Sequence, residues 1–316
     1  MISRRLLRIK ILQICYAYLK SQGKTLGQAE KELFFSIQKS YDLYHYLLLL
    51  VVDLVKYARS RIDLAAQKLV PTYEDLNPNT KFVDNKLVKQ LEQNQSLRKY
   101  LNDSKLSWSK YPELIKNLFL EIKDSEIYQN YMNVEERSYK EDKKFIIDLY
   151  AKIIILHEPL HQNLEEQSIY WNDDLEFVVG MIIRTLKNFK ASTGESEQLM
   201  QLFKNEEDRD FAKRLFRKTI INHQEYQQLI ADYIKNWDIE RVAFTDIVVM
   251  QLAVAELIEF NEIPVKVTLD EYIEIAKFYS TQKSNVFING VLDKMVADLK
   301  EDGRIKKTGR GLIGEI

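Results

Sequence analysis

An all-α fold follows from three features of the chain: apolar residues recurring at spacings of three and four, few turn-forming residues, and no alternating stretch of useful length. Glycine and proline number only 9 and 5 in 316 residues, so long helices are favoured over many tight turns. Hydrophobic residues make up 46% and charged residues 29%, the balance of a globular chain that can bury a sizeable core. This length accommodates one large or two ordinary domains. The longest apolar run, residues 47–52 with Tyr46 before it, stops at Asp53 and falls far short of the roughly 20 residues that cross a bilayer. No membrane span is expected. Nor is a signal peptide, because the apolar stretch behind Arg4, Arg5 and Arg8 is interrupted by Lys10 and Gln13 and no small-residue cleavage pattern follows. Cys15 is the single cysteine, which excludes an intrachain disulfide and a thiolate metal cluster and fits a reducing cytoplasm. The formal net charge of -1 supplies no global attraction to nucleic acid, so a polyanion site requires a local concentration of charge.

Helical patterning starts near Ser3, a candidate N-cap, and continues to about Lys20. After a break at Gly23-Lys24-Thr25 it resumes through Phe34, Ile37, Tyr41, Tyr44 and Leu48, so two or three helices fill residues 1–69. From Pro71 the chain turns polar, with a turn at Asn77-Pro78-Asn79 and weaker Lys- and Glu-rich helices to about residue 150. Three regions are therefore expected: N-terminal helices over 1–70, an inserted or peripheral helical layer over 71–195, and a C-terminal helical bundle over 196–316. In the last region, acids at 206–208 suit the start of a helix over 209–222 through its dipole. Further helices are expected over 224–236, 239–260, 269–280 and 285–301, with Thr268-Leu269-Asp270-Glu271 as a capping box for the third.

Residues 1–24 hold Arg4, Arg5, Arg8, Lys10, Lys20 and Lys24 and no acid. On a helical wheel Lys10, Gln13, Ala17 and Lys20 form a narrow polar stripe and most of the remaining circumference is apolar, so this helix is expected to be largely buried. Arg4, Arg5 and Arg8 continue the sector of Leu12, Cys15 and Leu19. Three guanidiniums projecting past the core beside free backbone N–H groups would suit phosphate, whose oxygens arginine grips in two-point contacts. A solvated basic terminus is the other reading of the same charges.

His157-Glu158-Pro159-Leu160-His161 matches a zinc-peptidase pattern, two histidines one turn apart with a glutamate between them. Pro159 argues against it, since proline suits the first turn of a helix and breaks an interior, which leaves the two imidazoles pointing apart. No catalytic or metal site is expected, and no glycine-rich phosphate loop or nucleophile elbow is present. In residues 239–260 the apolar positions run nearly all round, so Asp246 must be partnered internally or face an interface. Asn289-Gly290 lies inside a helix, where glycine costs roughly 1 kcal/mol relative to alanine, and is expected to permit close helix approach.

Several pieces in order resemble the NusB family of bacterial transcription antitermination factors. They are Glu240-Arg241, Leu252-Ala253 with Glu256-Leu257, Ile263-Pro264-Val265-Lys266-Val267, Glu271 with Ile273-Glu274-Ile275-Ala276-Lys277, and Phe287-Ile288-Asn289-Gly290-Val291-Leu292-Asp293-Lys294. Arg4-Arg5 with Arg8 and Gln13-Ile14-Cys15-Tyr16 are similar to that family's arginine-rich first helix. The resemblance covers about residues 1–65 and 205–300 and implies NusB-like antiparallel helical bundles, with the intervening stretch as the insertion of a longer form. It implies no catalysis and no cofactor. The implied partners are single-stranded boxA-type RNA of ribosomal RNA leaders, the ribosomal protein NusE and, indirectly, the elongating RNA polymerase, all in the cytoplasm. Arg4, Arg5, Arg8 and Gln13 would then face RNA from the first helix, Phe287 would approach it as an aromatic, Lys283 would add positive charge, and Ser284 would cap the Phe287 helix. Tyr16 and Asp246 would lie at or near the partner surface. Many relatives carry an acid where Lys283 stands and a basic residue where Val286 stands. A helical protein-interaction scaffold without RNA binding is the alternative. A fused RNA methyltransferase is disfavoured by the lack of a glycine-rich strand-to-helix turn.

Overall fold

The computed structural model describes residues 2–21, 23–234 and 242–314. All regular structure among them is helical. The Glu240-Arg241 pair lies outside the described residues.

Helix α1, Arg4–Lys20, begins where Ser3 predicts: the Ser3 side chain accepts from the Leu6 amide at 3.2 Å. A 41-residue helix, α2, Leu26–Ala66, follows. The chain divides into two compact units, one of residues 38–202 and one of residues 2–37 with 203–316. Their boundaries fall inside α2 and near residue 202, whereas the sequence places its own divisions at 70 and 195.

In the unit of residues 38–202, α2 is followed by α3 (Tyr73–Leu76), α4 (Lys86–Gln93), α5 (Gln95–Ser104), α6 (Pro112–Asp124), α7 (Glu126–Asn133), α8 (Tyr139–Lys152), α9 (Glu158–Gln167) and α10 (Leu175–Asn188). Its core is aromatic and uses each polar tip. Trp108 stacks on Tyr46 at 3.8 Å and donates to the Tyr46 carbonyl, and Tyr150 donates to the Leu47 carbonyl. Such rings contribute area and satisfy their own hydrogen bonds. His45 is buried there, bonded to the Tyr41 carbonyl at 2.9 Å and stacked on Tyr100 at 3.7 Å. Burial pushes its pKa down to about 4, against the opposing effects of the Tyr41 carbonyl and Asp42. The unfolded chain therefore binds a proton near pH 6.5 that the native chain refuses until about pH 4, and stability falls as pH drops through that window. His45→Gln should flatten the dependence of urea-unfolding free energy on pH between 4.5 and 6.5 by up to about 1.4 kcal/mol per pH unit.

The His157–His161 pattern is interrupted as Pro159 requires. A short 3-10 turn ends at Leu156, α9 starts at Glu158 with the proline in its first turn, and the imidazoles face different partners. His157 Nδ1 meets Glu121 at 2.6 Å, and His161 Nε2 meets the Ile155 carbonyl at 2.7 Å.

The unit of residues 2–37 and 203–316 contains α1, the start of α2, and α11 (Glu206–Ile221), α12 (His223–Tyr233), α13 (Phe244–Glu259), α14 (Val265–Tyr279) and α15 (Ser284–Glu301). Helix α13 is its axis: α1, α11, α12, α14 and α15 all pack on it, and residues 248–257 are buried throughout. Two expectations fail here. Thr268 caps nothing, because α14 already begins at Val265 after Pro264, and its hydroxyl donates instead to the buried carboxylate of Glu256 at 3.0 Å. Gly290 serves no close approach, since a Cβ added there meets no atom within 4 Å. It faces outward.

Candidate nucleic-acid interface

The α1 arginines do different jobs. Arg8 is 3% exposed and forks onto Glu256, itself fully buried, through Nε at 2.8 Å and Nη2 at 2.7 Å. Each Glu256 oxygen takes a second donor, Thr268 Oγ1 at 3.0 Å on one and Tyr272 Oη at 3.0 Å on the other. The carboxylate is saturated, as a buried charge must be. Burial opposes the Arg8 charge, but Glu256 outweighs it and holds the guanidinium above its ordinary pKa range. The expectation that three guanidiniums project beyond the packing is therefore corrected for Arg8. It sits where α1 crosses α13, and its charge is already matched.

Arg4 and Arg5, one turn earlier, do reach the surface, with side chains 38% and 42% exposed. Arg4 bonds Asp208 at 2.8 Å and lies over the Phe211 ring at 5.1 Å. Asp208 is held in the first turn of α11, its amide bonded to the Asn205 cap. Arg5 forks onto Glu271 of α14 at 2.9 Å through both nitrogens, and that contact raises its pKa. Both keep an open face toward solvent. Gln13 is half-buried, and Lys10, expected on a solvated stripe with it, is buried among the helices.

At the other end of α13 a second group gathers. Tyr16 is partly exposed and sets its ring edge on Phe244 at 5.2 Å, while Lys20 Nζ lies 4.2 Å over the same ring. Asp246 is 4% exposed and accepts from the hydroxyls of Ser280 and Ser284, the latter at 2.8 Å. Ser284 also accepts from the Thr281 amide at 3.1 Å. Asp246 thus finds internal partners, one of the two outcomes expected for a charge in that helix, whereas the expected cap is corrected: Ser284 is buried in the first turn of α15 and caps nothing. Together they clamp the connection between α14 and α15. Lys283 is exposed on that connection and makes no ion pair among the described residues. Val286 is exposed beside it, and Phe287 is half-buried.

Because Arg8 meets α13 at Glu256 and Tyr16 meets it at Phe244, α1 and α13 run antiparallel. Ten residues separate Glu256 from Asp246, about 15 Å along a helix. The structure thus brings the arginine end and the Lys283–Phe287 end onto one helical core at two separate heights. Glu256 and Glu271, which organise the first end, carry a signal in the sequence: Glu256 is a charge in the same all-apolar helix that makes Asp246 conspicuous.

Residues 179–297 match the family model described as NusB family. The transcription antitermination protein NusB of Salinibacter ruber is 42% identical over 139 residues, covering 42% of this chain and 87% of that protein. Its counterpart from Geobacter sulfurreducens is 36% identical, covering 39% of this chain and 94% of the relative, and that of Chloroherpeton thalassium is 40% identical, covering 33% and 50%. A solved structure of T. maritima NusB is 28% identical over 44% of this chain and 85% of that one, with a TM-score of 0.29, too low to carry weight. Helices packed round α13, with an arginine-bearing first helix against it and no other regular structure among the described residues, are the class that the fold defines. The chain belongs to the NusB family, and each of these relatives matches less than half of it.

Proposed function

We propose that this chain is a transcription antitermination factor that binds single-stranded boxA-type RNA together with the ribosomal protein NusE and, through that complex, acts on the elongating polymerase in the cytoplasm. Membership of a family whose relatives carry the name transcription antitermination protein is the observation that carries this reading. Supporting it are the two partly exposed arginines at the head of α1 and the uncompensated Lys283 near a half-buried Phe287. Arginine and lysine supply the phosphate contacts, and an aromatic face can stack on an unpaired base. Gln13 and Tyr16 would contribute from the exposed side of α1. Asp246 and Ser284 act from beneath, by holding the connection that presents Lys283. No catalytic step belongs to this reading. Residues 71–195 are the added helical region of a longer form.

The test is a titration of labelled boxA-type RNA with the full chain. Binding should be tighter with NusE present and should weaken as salt rises. Equal affinity for a scrambled RNA, with or without NusE, would sink the proposal.

A further inference from the structure

One aromatic that the sequence does not single out stands in the open beside this candidate interface. Phe278, in the last turn of α14, is 77% exposed. Large apolar side chains scattered on a surface are ordinary, but three features distinguish this one. First, the segment next to it is held still: the Ser280 hydroxyl donates to Asp246, Ser284 donates to Asp246 at 2.8 Å, and the Thr281 amide donates to Ser284 at 3.1 Å. Second, the connection that begins two residues on carries Lys283, exposed and without an ion pair among the described residues. Third, Val286 on the first turn of α15 is 73% exposed, so the far side of the same connection also offers apolar surface.

We infer that Phe278 is a base-stacking residue, a second aromatic platform that extends the RNA path beyond Phe287. The inference rests on the RNA-binding reading above. An exposed planar ring five residues from an uncompensated cation offers the two groups that single-stranded nucleic acid uses, the ring for a base and the charge for a phosphate. Protein surfaces with a positive field also attract acidic peptides, but a flat, exposed ring favours a nucleobase, whose π-face needs no matching pocket. Asp246 ties down Ser280 and Ser284 at the two ends of the connection that carries Lys283, which lowers the ordering cost of a strand binding across it.

The test compares native chain, Phe278→Ala and Phe278→Tyr in anisotropy titrations with labelled single-stranded boxA-type RNA, at several salt concentrations. Because the ring is exposed, all three should melt at similar temperatures. Phe278→Ala should raise Kd between about fivefold and a hundredfold, leave the slope of log K against log salt unchanged, and spare what binding there is to the same RNA annealed to its complement. Phe278→Tyr should restore affinity. Native affinity in Phe278→Ala, in a titration where the Arg4→Gln/Arg5→Gln chain is weakened, overturns the stacking role and leaves the RNA reading standing. Loss of NusE binding in Phe278→Ala with RNA affinity unchanged makes the patch a protein contact and also overturns it. A native chain that retains no RNA overturns both.

Discussion

Glu256→Ala should destabilise the unit of residues 2–37 and 203–316 by about 3 to 5 kcal/mol, because the buried Arg8 guanidinium loses its two-point partner and keeps only the longer contact to Glu271 at 3.5 Å. The hydroxyls of Thr268 and Tyr272 lose their acceptor in the same step, and the cavity left in α13 adds to the cost. Arg8→Ala should be comparably damaging for the mirror reason, since Glu256 keeps two hydroxyl donors but no positive charge at bonding distance. The double change Arg8→Met with Glu256→Leu should recover most of the loss, as apolar replacements of buried ion pairs often do. Equilibrium urea unfolding of the three variants measures this directly. If Glu256→Ala unfolds within about 1 kcal/mol of the native chain, the saturated carboxylate is not a structural centre. The result also governs how the basic helix can be probed, since an Arg8 substitution that abolishes RNA binding would report unfolding.

Replacing Arg4, Arg5 and Lys283 together by glutamine should weaken single-stranded RNA binding by about a hundredfold, with exposed charge contacts contributing about 1 kcal/mol each. The more diagnostic quantity is the salt dependence. Each phosphate of a single strand that is no longer neutralised by a protein cation lowers the slope of log K against log salt by about 0.7, so the triple variant should show a slope smaller by about 2. Arg4 and Arg5 already hold Asp208 and Glu271, so phosphate must share or displace those carboxylates, and the single Lys283→Gln change should show the cleanest effect per charge. Melting temperature must be followed in parallel, since Asp208 and Glu271 lose partners. An unchanged slope would move the RNA path off this face.

Local chemistry made much of the fold legible. Ser3 caps α1, Pro159 separates His157 from His161, and the acids at 206–208 fill the first turn of α11. In each case one residue acts on its own backbone, so no distant partner is needed to read it. Thr268 shows where that logic stops. Its sequence context is a capping box, yet Pro264 starts the helix a turn earlier and Glu256 takes the hydroxyl.

What the sequence determines by itself, then, is the helical class, the break points, and which charges lie in apolar surroundings and must find a partner. It also places Arg4, Arg5 and Arg8 on one angular sector of α1. Which of the three is core and which is surface is settled only by tertiary packing. Helical periodicity specifies the direction in which a side chain leaves its helix, but the depth of burial depends on what another element presents at that height. At Arg8 the crossing helix presents Glu256; one turn earlier the neighbours are Asp208 and Glu271 at the rim, and the guanidiniums keep one face in water. Asp246 follows the same rule. The sequence requires it to have partners, and the fold supplies Ser280 and Ser284, more than thirty residues away, so the buried carboxylate becomes the fixing point for the exposed connection that carries Lys283.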